Sequence, residues 1–171
     1  VTKATTSILF VIVGAVNLFY TANHEKNLTP FAVYLVSGLF LSMLGDVMLN
    51  LSFVSGTALF ALGHVCYILS YSKINSFCKT DFAVGWTIFL GALLFLVLSD
   101  IVIFDSVIIK IACVIYSFII SVMLGKSLVN LFKNKSMLTA VIAVGSILFW
   151  TKPTFLLNTF AARISKAIIP I

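Results

Sequence analysis

Residues 40–71 read FLSMLGDVMLNLSFVSGTALFALGHVCYILSY. Leu, Phe, Val, Met and Ala dominate, and the run is long enough to cross a bilayer twice at ~20 residues per crossing. Only residues 52–56 separate its two apolar halves, so it reads as a tight antiparallel hairpin of two membrane helices. Against this background stand one acid, Asp46, and one histidine, His64. The fold and the function both turn on why they are there.

The rest of the chain is as apolar as the hairpin. Of its 171 residues 61% are hydrophobic and only 9% charged, too few charges to cover a water-soluble surface. Six spans stand out, at 6–21, 30–53, 55–72, 82–99, 106–124 and 137–150. They predict an all-α, polytopic transmembrane helix bundle of about six to seven spans in one domain, 1–171. A membrane β-barrel would instead alternate in short segments. Residues 150–171, WTKPTFLLNTFAARISKAIIPI, form an atypical tail that reads either as an interfacial helix or as a broken final span.

The formal charge of +6 is explained by topology rather than by nucleic acid. Lys26, Lys73, Lys79, Lys126, Lys133 and Lys135 are expected in the loops after spans one, three and five, while the loop after span four carries Asp100 and Asp105. The positive-inside rule then puts those lysines in the cytoplasm and residue 1 on the far side of a membrane such as the bacterial inner membrane. Cys66, Cys78 and Cys113 lack CxxC spacing and read as apolar fillers. No metal-ligand spacing and no cofactor motif is present.

Asp46 and His64 flank the hairpin turn, and counting 1.5 Å per residue puts both about 10–14 Å from the same membrane face. Ser42, Asp46 and Asn50 recur at i, i+4 and i+8, with Gly38 and Gly45 nearby. Phe60, His64, Tyr67 and Tyr71 form the facing stripe, with Gly56 and Gly63 beside it. A carboxyl facing lipid costs about 3 kcal/mol on insertion scales, so Asp46 should face the bundle or a wet cavity. A carboxyl kept from water favours its neutral form and can donate a proton. The plainer reading is a structural hydrogen bond from Asp46 to His64 or Tyr67 that sets helix register.

These residues resemble a known family. LFLSMLGDVMLNLSF followed by GTALFALGHVCYILSY is similar to the paired signature of the lysoplasmalogenase, or YhhN-type, family: LGD-x-x-L, a short turn, then G-x-x-x-F-x-x-x-H-x-x-Y. TKATTSILFVIVGA, with Ala4 where proline is usual, and IIKIACVIYSFIISVMLGKSL resemble further family spans, so the resemblance covers about residues 2–150. Family members have more spans than are counted here, and the chain is expected to start at the second and stop before the last.

The resemblance implies hydrolysis of the vinyl-ether bond of lysoplasmalogens to a fatty aldehyde and a glycerophospho-base, with a lysophospholipid and membrane lipid as partners. Asp46 would be the general acid, with His64 beside it in the chemistry, and Ser42, Asn50, Tyr67 and Lys3 would hold substrate or water. Glycosidases meet a comparable oxocarbenium-like state with two carboxyl groups. The family carries its second aspartate in a Ser-Asp pair, but aligning VGSILFW puts Lys152 and Pro153 there. Asp100, in GALLFLVLSD, copies the pair superficially and reads as a loop-capping charge. Two other classes stay open: a non-catalytic member that binds lysolipid, and a small transporter relaying protons through Asp46 and His64.

Overall fold

The computed structural model describes residues 2–98 and 107–151, with side chains for 5–94 and 107–151. Asp100, Asp105, Lys152, Pro153 and the rest of the tail lie outside the described residues. The described residues are helical apart from short connections, with no strand among them, so the all-α expectation holds. The helices are α1 (Thr2–His24), α2 (Thr29–Met48), α3 (Phe53–Ile74), α4 (Lys79–Leu98), α5 (Val107–Lys133) and α6 (Met137–Thr151). Among the described residues, four helices are long and apolar enough to cross a membrane: α1, α2, α3 and α5.

Local chemistry sets the helix ends. Pro30 opens α2, where a missing N–H costs nothing. At the start of α4 the Asp81 carboxylate accepts the Cys78 backbone N–H at 2.7 Å, and an acid in the first turn also suits the helix dipole. Ser136 and Thr139 open α6 reciprocally, each side-chain oxygen accepting the other's backbone N–H, at 3.3 and 3.2 Å.

Two boundaries differ from the sequence expectation. The hairpin turn lies at 49–52, a few residues earlier than expected, because α2 stops at Met48. Asn50 Nδ2 donates back to the Asp46 and Val47 carbonyls at 3.2 and 3.4 Å, and Ser52 takes up extended backbone as N-cap of α3. Short polar side chains compete with the helix for its own backbone groups in this way. Conversely, α5 runs on to Lys133, so Lys126 lies inside a helix and fully buried rather than in a loop. The apolar residues Leu128, Val129, Leu131 and Phe132 sustain the helix past the lysine.

Contacts divide the chain into two compact units, one ending at Asp81 and the other starting at Phe82. In the first, α1, α2 and α3 pack side by side. Gly14 lets α1 approach α2, since a Cβ there would stand 2.9 Å from Leu39. The α2–α3 seam is closer still. A Cβ on Gly38 would stand 2.5 Å from the Tyr67 ring, and one on Gly45 would stand 2.9 Å from Phe60. Small residues drive such packing in lipid, where apolar contact with a neighbouring helix is no better than contact with acyl chains.

In the second unit, Phe82, Trp86 and Phe89 of α4 surround Phe118 of α5, with ring centroids 5.3–6.3 Å from it and near-perpendicular planes. Gly85 sits against the Val122 backbone, 2.8 Å from where its Cβ would be. Ser121, Ser127 and Asn130 of α5 and Ser146 of α6 are fully buried polar residues in this unit. Of the three cysteines, Cys113 is buried and Cys66 and Cys78 are half-buried, and none forms a disulfide.

Candidate functional site

The α2–α3 seam gathers Ser42, His64 and Tyr67, three of the residues singled out from sequence, into one polar cluster. His64 is fully buried on α3, and its Nδ1 donates to the Phe60 carbonyl at 2.6 Å. A carbonyl can only accept, so this bond puts the proton of the neutral ring on Nδ1 and makes Nε2 an acceptor. Tyr67, one turn on, meets the His64 ring edge-on at 5.7 Å and stacks on Tyr71 at 6.4 Å. Its hydroxyl lies 3.4 Å from Ser42 Oγ across the seam. Gly63 beside His64 faces Ser42 as well, its Cβ position 2.9 Å from the hydroxyl oxygen. Ser42, His64 and Tyr67 therefore come together as the helical spacing predicts.

Asp46 belongs to a neighbouring layer. Its half-buried carboxyl turns to α1, where Ser7 Oγ donates to Oδ2. The expectation of matching depth for Asp46 and His64 is corrected by the register of the hairpin. Gly45 lies against Phe60, so Asp46 stands level with Leu59, and His64 is five residues, about 7–8 Å, farther along the axis. The early end of α2 shifts the turn and hence the pairing. Ser42, one helical turn from Asp46 on the same face of α2, spans the interval.

Asn50 and Lys3 do not join this cluster in the same way. Asn50 is exposed at the hairpin turn, and its amide holds the Asp46 backbone carbonyl rather than lining the His64 layer. Lys3 stands in the first turn of α1, one turn before Ser7, and its side chain lies outside the described residues.

Ser7 is the residue that sequence reasoning missed. A signal for it exists: Ser7, Val11, Gly14 and Leu18 recur at i, i+4, i+7 and i+11, one face of a helix. Gly14 marks that face as the one docked on α2. A hydroxyl two turns before it points into the same seam.

Comparison with curated proteins and with solved structures finds no match. The sequence pattern of the YhhN family matches residues 1–169, and so takes in most of the atypical tail. A match over nearly the whole length agrees with the LGD-x-x-L and G-x-x-x-F-x-x-x-H-x-x-Y hairpin that forms the core of the first unit. The chain belongs to the YhhN family.

Proposed function

We propose that this YhhN-family chain is a membrane hydrolase that cleaves the vinyl ether of lysoplasmalogens, with Asp46 as general acid. The observation that carries the reading is the half-buried Asp46 carboxyl, which accepts a hydrogen bond from Ser7 across the α1–α2 seam. An intramembrane carboxyl in such a place is a functional group by default.

The chemistry suits one protonated carboxyl. Asp46 gives its proton to the enol-ether carbon remote from oxygen, and the adjacent carbon becomes an oxocarbenium ion. Water adds to that carbon and returns a proton to the carboxylate, leaving a hemiacetal. The carbon–oxygen bond to glycerol then breaks, the hydroxyl proton passes to the glycerol oxygen, and fatty aldehyde and glycerophospho-base separate. The sum is one vinyl ether plus one water. His64 Nε2, as an acceptor, and the Ser42 and Tyr67 hydroxyls are suited to hold the attacking water. Lys3, at the same end of the helices as Asp46, is assigned to the substrate phosphate and Asn50 to the head-group side. The ends carrying Lys26, Lys73, Lys79, Lys133 and Lys135 are placed in the cytoplasm, with residue 1 opposite, in a bacterial inner membrane or its equivalent.

The test is aldehyde release from lysoplasmalogen by purified protein and by Asp46→Asn. Release that persists in the variant removes Asp46 from the chemistry. A second reading, a lysolipid-binding member without catalysis, is favoured by Lys152 and Pro153 standing where the family's Ser-Asp pair is expected. It would give no release from either protein with lysolipid binding intact.

A further inference from the structure

We propose that Ser7 is a positioning residue for Asp46, holding its carboxyl in the orientation from which the proton is delivered; the inference rests on the hydrolase reading above. Asp46 stands in the last turn of α2, at the end of the helix that carries partial negative charge. Donors from outside the helix are what steady a carboxyl there. Among the described residues two reach it. Asn50 Nδ2 holds its backbone carbonyl at 3.2 Å, and Ser7 Oγ donates to side-chain Oδ2.

The two bonds do different things. Asn50 fixes where the Asp46 backbone ends the helix, but leaves the side-chain torsions free. The Ser7 bond restricts those torsions and occupies Oδ2 as an acceptor, which leaves Oδ1 as the oxygen that carries the transferable proton. The hydroxyl is itself well placed, because it stands on a helix and not on a loop. Gly14 lets α1 close on Leu39 and Val36 of α2, and Ser7 is two turns earlier on that same face. Rigid elements hold functional groups more accurately than loops do. No substrate contact is assigned to Ser7: it acts through the carboxyl.

The experiment compares wild type, Ser7→Ala and Ser7→Thr in lipid nanodiscs. Two readouts are taken: kcat and KM on lysoplasmalogen, and the infrared band of the Asp46 carboxyl, assigned by its loss in Asp46→Asn. Ser7→Ala should lower kcat about tenfold or more with KM little changed, because a misplacement of ~1 Å can cost 10²-fold. The Asp46 band should move in Ser7→Ala, and Ser7→Thr should restore both band and rate. An unmoved band in Ser7→Ala overturns the proposal whatever the rates do, and so does a moved band with undiminished kcat. If wild type releases no aldehyde, the hydrolase reading fails by itself. The band then decides alone whether Ser7 orients Asp46. Should Ser7→Ala fail to fold, Ser7→Cys, of similar size and with a weak donor, carries the same comparison.

Discussion

The α2–α3 seam and the α4–α5 seam solve one problem with opposite materials. Both join two apolar helices in an environment where burying oil against oil gains little. In α2–α3 the closeness comes from Gly38, Gly45 and Gly63, and the space so gained is filled by Ser42, His64 and Tyr67. In α4–α5 a close approach at Gly85 is flanked by interlocking rings, Phe82, Trp86 and Phe89 around Phe118. The ring cluster offers no proton donor or acceptor beyond the Trp86 indole N–H. The lesson is that interlocking rings hold helices together without bringing reactive groups of their own, whereas close backbones also make room for hydroxyls and an imidazole. A span that tolerates a carboxyl and an imidazole must supply close backbones and hydroxyls to keep them from lipid.

Substitutions can break that contrast, and the largest effect belongs to the polar side. Asp46→Asn should lower aldehyde release by about 10²–10⁴-fold, the usual worth of a positioned acid. Trp86→Phe in the aromatic seam should leave release per folded molecule within about twofold, since ring packing of this kind contributes stability and not chemistry. Equal losses in both would erase the distinction.

Next in size are the packing tests, read by thermal unfolding in detergent. Gly38→Ala drives a methyl against the Tyr67 ring and the Gly63 carbonyl oxygen, 2.5 and 2.9 Å from its Cβ position. It should destabilise by about 1–3 kcal/mol, the usual cost of overpacking. Phe118→Ala removes three ring contacts worth roughly 0.5–1.5 kcal/mol each. It should cost about 1.5–4.5 kcal/mol by the same pairwise arithmetic while specific activity survives. If Phe118→Ala instead abolished turnover in protein that remains folded, the aromatic seam would have a functional share that its contacts do not suggest.

The smallest effects sharpen the picture. Tyr67→Phe deletes one hydroxyl whose bond to Ser42 is long at 3.4 Å. Stability should change by less than about 1 kcal/mol, and turnover should fall several-fold if that hydroxyl holds water, a ratio measured at saturating substrate. Gly91→Ala meets nothing within 4 Å. It should be neutral or stabilising by up to about 1 kcal/mol, because alanine is the better helix former.

Much of the fold could be read before any coordinates. The order of helices follows from the apolar runs, and the pairing of 40–71 as a hairpin follows from its short connector. Ser42, His64 and Tyr67 share a cluster because helical spacing already puts them on facing stripes. Where the reading missed, the cause was local or long-range and not hydrophobicity. Asn50 and Ser52 end α2 early through their own hydrogen bonds, which moves the turn and sets Asp46 and His64 on different levels. Lys126 reads as a loop residue by charge, yet it lies buried within α5. Ser7 shares a helix face with Gly14, but that pattern does not say which residue of the opposite helix it meets.

By itself the amino-acid sequence determined that this is a helical, membrane-crossing chain. Lipid offers no partner to a bare N–H or carbonyl, so long apolar runs must satisfy their backbones internally. It also determined that an acid and an imidazole stand inside those runs. The tertiary structure alone decided what each of them meets. Helix register rests on how Gly14 seats on Leu39 and Gly45 on Phe60, fits between segments on different helices. The face that Ser7 shares with Gly14 sets its direction, but only that register brings it to Asp46.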